Sequence, residues 1–238
     1  MWQGWDTPQR ILVVLAHPDD PEFFCGATIA RWTASGHNVM YWLLTCGDKG
    51  SQDPFTNPDE LCSHRYEEQR SAAAKIGVTK VNFLGYPDGY LHPSLELRKE
   101  ITRIIRIERP EILVTCDPAL LFPGENRINH PDHRAAGQAV VDAVFPAAGN
   151  PLYFPELLRD EGLQPHLPKE VWISIAQQPN LILDVTDLWE LKIQALCEHR
   201  SQIGDRDAFV ERMRSRHTPD STREKPRYEE VFRRIVFT

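Results

Sequence analysis

The stretch ILVVLAHPDDPEFFCGATIA, residues 11 to 30, decides the fold. An apolar run halts at His17, two adjacent aspartates follow, and a segment of helical spacing begins. The run is too short for a helix and rich in Ile, Leu and Val, which suits a strand buried on both faces. GATIARWTASGH places Ile29, Trp32 and Thr33 at helical spacing and ends on Gly36, a natural C-cap. Strand, polar break and helix together open a βα unit. Charges at the mouth of a buried strand repel one another and resist burial. His17, Asp19 and Asp20 therefore need a chemical reason to be there.

Working outward, the same alternation recurs. NVMYWLLT reads as a second strand, KVNFLG as a third and EILVTC as a fourth. SHRYEEQRSAAAKIG reads as a helix closed by Gly77. SLELRKEITRIIRIERP predicts an amphipathic helix with Leu95, Leu97, Ile101, Ile104 and Ile105 inward, ended by Pro110. PDHRAAGQAVVDAVF predicts a helix with Pro131 in its first turn, where proline is tolerated. Strands separated by helices imply a Rossmann-like α/β fold, a mostly parallel sheet with helices on both faces. In such sheets the active site lies at the carboxyl-terminal edge of the strands.

After Phe145 the alternation breaks. Residues 146–170 are rich in proline and read as a lid or capping loop, with Tyr153, Phe154 and His166 packing it. VWISIAQ and NLILDVT predict further strands, and DLWELKIQALCEHRSQ a helix. Residues 203–238 read as a charged C-terminal extension whose YEEVFRRIVF docks as a short helix or strand. The whole chain, 1–238, reads as one domain.

Composition excludes several classes. Of 238 residues 41% are apolar, enough for a core, and the net charge of −7 disfavours a nucleic-acid binder. No segment reaches the ~20 apolar residues of a membrane helix. The N-terminal MWQGWDTPQR is too polar for a signal peptide. Five cysteines without a CxxC pair suit reduced thiols and a cytoplasmic location. Dinucleotide, P-loop and G-x-S-x-G signatures are all missing.

The unusual residues gather after the strands. HPDD offers His17 and Asp20, and HPDH offers His130 and His133 at the same spacing. Taken singly, an aspartate before a helix is well read as an N-cap. Two HPD elements at one sheet edge point instead to a metal site, since catalytic zinc takes three His or carboxylate ligands and leaves one position for water. A carboxylate left over beside it can act as general base, and a histidine opposite can hold an oxyanion or protonate a leaving amine. Asp132 is placed to orient the His130 imidazole.

AHPDDPEFFCGATIA and NHPDHRAAG together resemble the two metal motifs of the PIG-L/LmbE-like zinc-dependent N-acetylglucosaminyl deacetylases. LTCGDKGS, RYEEQRSAAAKIGV, FLGYPDGYL, RPEILVTCDP and HRSQ extend the likeness over roughly residues 10 to 202. The resemblance implies zinc on His17, Asp20 and His133, with Fe2+ acceptable to the same donors. It implies Asp19 as general base, His130 as electrostatic or acid partner, and Arg65 and Asp88 as sugar contacts. The implied reaction is attack of metal-bound water on the acetyl amide of an N-acetylated amino-sugar conjugate. An amidase of larger conjugates and a non-catalytic metal- or sugar-binding relative stay open. A receiver-type signalling domain has no use for HPDH and is disfavoured. Pro21 intervenes before Glu22, and Cys25 and Ala27 stand where relatives often carry glycine. The expected partner is a small molecule, without nucleic acid or a membrane span, and a homo-oligomer stays open.

Overall fold

The computed structural model describes residues 4–237. Strands β1 (Arg10–Leu15), β2 (Asn38–Thr45), β3 (Lys80–Tyr86), β4 (Ile112–Cys116), β5 (Glu170–Ser174), β6 (Leu181–Asp184) and β7 (Glu229–Val236) form one sheet in the order β3-β2-β1-β4-β5-β7-β6. The first five run parallel, and β7 pairs antiparallel with both β5 and β6. Helices are α1 (Asp20–Ala34), α2 (Pro58–Lys75), α3 (Leu95–Glu108), α4 (Pro131–Asp142), α5 (Pro155–Arg159), α6 (Trp189–Leu196), α7 (Arg200–Ile203) and α8 (Arg206–Arg214). None of the described helices is long and apolar enough to cross a membrane. All five cysteines are free.

β1 is the central buried strand, with Ile11 through Ala16 fully excluded from solvent. The chain steps from β1 outward to β2 and β3, then returns across β1 to β4. The direction of winding therefore reverses between β1 and β4, and a crevice opens beyond their carboxyl ends. The two HPD elements follow those two strands. Winding order thus brings together segments more than a hundred residues apart.

Local chemistry sets the helix starts. Asn57 accepts from the Asp59 N–H, so α2 begins several residues before the expected boundary. Ser94 caps α3 through the Leu97 N–H, leaving Leu95 on the first turn and exposed rather than inward. Leu97, Ile101, Ile104 and Ile105 are buried as the spacing predicts. α2 buries Leu61, Arg65, Gln69, Ala72 and Ala73, a helical stripe that includes a charge.

Residues 146–170 do not cover the site, which corrects the expected lid. α4 starts at the site and, at about 1.5 Å per residue, carries the chain to the opposite edge of the sheet. There His166 Nε2 meets the Pro110 carbonyl at 2.7 Å, and the Lys169 N–H donates to Glu111. Arg106 donates to the carbonyls of Ala147, Ala148, Asn150 and Tyr153. Pro110 and Glu111 lead into β4, at the end opposite Cys116. Nor is the tail an appendage, since β7 lies inside the sheet.

Gly137 sets how closely α4 approaches the end of β4. A Cβ there would sit 2.4 Å from the Cys116 carbonyl oxygen and 3.0 Å from the Pro118 nitrogen. Both obstacles are backbone and cannot rotate away. Gly137→Ala should lose about 1–3 kcal/mol to overpacking, outweighing the ~0.5–1 kcal/mol that alanine gains in a helix. A lower denaturant midpoint checks this; an unchanged one would mean that α4 shifts freely.

Candidate active site and metal centre

The crevice collects six of the eight residues singled out in the sequence directly around one another; Asp19 adjoins them beside Asp20, and Arg65 grips it from behind. His17 Nδ1 lies 3.2 Å from His133 Nε2 and 3.4 Å from Asp20 Oδ2, and His133 Nε2 lies 3.0 Å from Asp20 Oδ1. On the other side of the same ring, His17 Nε2 lies 3.1 Å from Asp88 Oδ1 and 3.4 Å from Asp132 Oδ2. His130 Nε2 is 3.8 Å from Asp88 Oδ1.

Two groups have donor atoms close enough to hold an ion: His17, Asp20 and His133, or His17, Asp88, His130 and Asp132. The first fits better. Donors on a tetrahedral ion with bonds of about 2.1 Å are about 3.4 Å apart, close to the spacings in the first group. In the second, Asp132 is already engaged by the Gly89 and Leu91 N–H groups at 2.7 and 3.2 Å. Outer partners also set the first group's lone pairs. His133 Nδ1 donates to Asn129 Oδ1 at 2.9 Å, leaving Nε2 free. His17 Nε2 donates to Asp88, which turns Nδ1 toward Asp20 and His133.

Neither Asp20 nor Asp132 caps its helix through its side chain. Asp20 is the first residue of α1, and its Oδ2 accepts from the His17 N–H at 2.9 Å. At α4 the cap is the His130 ring, whose Nδ1 accepts the Asp132 N–H at 3.2 Å. The backbone of Asp132 therefore orients His130. Its carboxylate, fully buried, serves His17 and the turn after β3 instead.

Asp19 has φ 95°, a left-handed conformation unusual for a residue with a Cβ. Its N–H donates to Gln69 Oε1 at 2.7 Å. Its carboxylate receives Arg65 Nη2 at 3.3 Å. Arg65 is buried and also donates to the carbonyls of Pro18 and Gly47, at 2.6 and 3.1 Å. Gly47 has φ +69° and lies so close that a Cβ would overlap the guanidinium at 1.9 Å, so only glycine fits. Glu68, one turn on from Arg65, accepts from the Ser201 N–H and hydroxyl at 2.8 and 2.7 Å.

Behind Asp19 stands a network that sequence reasoning missed. Gln69 Nε2 donates to both oxygens of Glu22, and His199 Nε2 meets Glu22 Oε2 at 3.1 Å. The visible signals were Gln69 one turn beyond Arg65 and the histidine of HRSQ. Asn129 was also missed as a support; Asp48, which follows β2, accepts the Asp88 N–H through Oδ1 at 2.9 Å.

Burial pushes the Asp19 carboxyl up to about 6, with the negative Asp20 adding and Arg65 opposing. Asp20 is also buried, but His133 and His17 outweigh that and hold it well below the usual carboxylate range. Burial alone would lower His17, yet its hydrogen bonds to Asp132, Asp20 and Asp88 hold it well above its ordinary value. His130 is lowered, by burial and then by the positive charge of His17.

This is the class of α/β protein with a His/Asp cluster built into the switch-point crevice. The family GlcNAc-PI de-N-acetylase (PIG-L) matches residues 12–144, and the chain belongs to it. The chain is 37% identical to the diacetylchitobiose deacetylase of Thermococcus kodakarensis, over 84% of this chain and 72% of that protein. It is 32% identical to the 1D-myo-inositol 2-acetamido-2-deoxy-alpha-D-glucopyranoside deacetylase of Kineococcus radiotolerans, over 61% of this chain and only about half (47%) of that one. The solved N,N'-diacetylchitobiose deacetylase of Pyrococcus horikoshii superposes with a TM-score of 0.85 at 33% identity, over 95% of this chain and 84% of that chain.

The His199–Glu22 pair gives a pH signature. Burial alone would lower His199, but the hydrogen bond and charge of Glu22 raise it. A raised folded-state value contributes stability that is full below the unfolded value of about 6.5 and is lost as pH rises through the folded value. The stability advantage of the wild type over His199→Gln should shrink across that window in denaturant titrations. An advantage independent of pH would remove the pair's ionic character.

Proposed function

We propose that this chain is a metal-dependent hydrolase that removes the acetyl group from an N-acetylglucosamine-type amide, with zinc held by His17, Asp20 and His133. The observation that carries this is the convergence of those three donors, flanked by Asp19 and His130, in a chain of the PIG-L family. Iron(II) suits the same set of two imidazoles and one carboxylate. The relatives' names, diacetylchitobiose deacetylase and a deacetylase of an acetamido-glucopyranoside of inositol, support an N-acetylated amino sugar as substrate.

A bound cation supplies Lewis acidity, which activates water and polarises the amide carbonyl. Asp19 takes the water proton, and its elevated value suits a base working near neutrality. Arg65 and Gln69 hold that carboxylate and its strained backbone toward the crevice. We assign Arg65 to positioning Asp19 rather than to the sugar. His130 is neutral; because Nδ1 accepts the Asp132 N–H, its proton sits on Nε2. That N–H donates to the amide oxygen as negative charge builds. Asp88 and Asp132 fix the His17 ring. The proton gained by Asp19 returns to the departing nitrogen, completing the exchange.

Acetate release from N,N'-diacetylchitobiose and N-acetylglucosamine glycosides, with metal content measured alongside, tests this reading. Asp19→Asn should keep the metal and lower kcat by at least about a hundredfold. Stoichiometric metal with no acetate from any N-acetylated amino sugar would count against it. The acid limb of kcat/KM should fall at or below about pH 6, since a nearby cation can only lower Asp19 further. An acid limb well above that value would point to a different base.

A further inference from the structure

Beside the candidate site lies a cavity of about 720 Å³, walled in part by His130, His133, Phe24 and three arginines: Arg127, Arg212 and Arg216. Among the described residues no aspartate or glutamate lines it, although the chain carries a net charge of −7. Other arginines of the same C-terminal stretch are paired: Arg214 with Glu190, Arg223 with Glu211 and Arg227 with Asp220. Among the described residues, Arg127, Arg212 and Arg216 have no carboxylate within ion-pair distance.

Three segments bring these cations together. Arg127 comes from the loop after β4, Arg212 from α8, and Arg216 from just beyond that helix. α8 is anchored by the buried Phe209 and Met213, and Phe209 meets Phe23 of α1 edge-on at 6.1 Å. The Arg212 guanidinium lies 5.1 Å from the Phe209 ring centre, a cation–π contact that restrains it. Partial burial, and then the charges of Arg127 and Arg212, lower Arg216 from its ordinary value. Convergent like charges are unfavourable in an empty cavity and favourable around an anion. Guanidinium groups match planar and tetrahedral oxyanions especially well.

Resting on the deacetylase reading, we propose that this cavity receives the part of the substrate beyond the amino sugar, and that this part carries an oxyanion, a carboxylate or a phosphate, bound by Arg127, Arg212 and Arg216. The arginines thereby select among N-acetylated amino sugars by their aglycone.

The test uses matched N-acetylglucosamine glycosides whose aglycones end in a hydroxyl, a carboxylate or a phosphate. We expect kcat/KM for at least one charged substrate to exceed that for the hydroxyl by about tenfold or more. That ratio should contract as salt rises, because exposed charges are screened. In R212Q/R216Q and in R127Q it should move toward one; a ratio that persists in both would overturn the role of the arginines. The carboxylate and phosphate arms distinguish the two anions. Equal kcat/KM for all three substrates in the wild type overturns the inference and leaves deacetylation standing. No acetate from any of them overturns the reading on which it rests. Should the variants fail to fold, the wild-type ratio and its salt dependence decide alone.

Discussion

A buried imidazole surrounded by carboxylates is the constraint on which the rest of the structure depends. His17 commits Nδ1 toward Asp20 and His133 and Nε2 toward Asp88 and Asp132. Its backbone N–H goes to Asp20 as well. Without the ring, three largely buried carboxylates would face one another in a medium that screens poorly. The ring links the ends of three parallel strands: β1, which delivers it, β3, which delivers Asp88, and β4, which leads to Asp132 and His133.

The surrounding structure holds that cluster against two local costs. One is the left-handed Asp19, whose N–H is bound by Gln69 and whose carboxylate by Arg65. The other is the break in α1 at Cys25, where helical geometry lapses. The break frees backbone groups, and the tail satisfies them. Glu230 of β7 accepts the Ala27 and Thr28 N–H groups, while Lys192 of α6 donates to the Phe23 carbonyl and pairs with Glu230 at 2.7 Å. The first turn of α1, which carries Asp20, is thus fixed from behind by residues about two hundred positions later.

The site divides along the same lines. The His/Asp cluster is deeply buried, whereas the cavity beside it, walled in part by His130, His133 and arginines, is open. α8 connects the two: its apolar face packs on α1 beside the cluster, and its polar face supplies arginine to the cavity.

Much of this was legible in the residues alone. Apolar runs of strand length alternating with helical spacing implied the parallel sheet, because a strand buried on both faces must be apolar throughout. Repeated HPD elements after strands marked the crevice and the residues that meet in it. Local pattern could not show which way a given side chain turns. Arg65 looked like a sugar contact, and packing turned it to Asp19 and the Gly47 carbonyl. Asp132 looked like the orienter of His130, yet its backbone does that work while its carboxylate reaches the turn after β3. The proline-rich 146–170 read as a lid, but the length of α4 carried it to the far edge of the sheet. Periodicity reports burial and element type because both are local; the partner of a buried charge is chosen by whichever distant group meets it, and only the tertiary structure decides that.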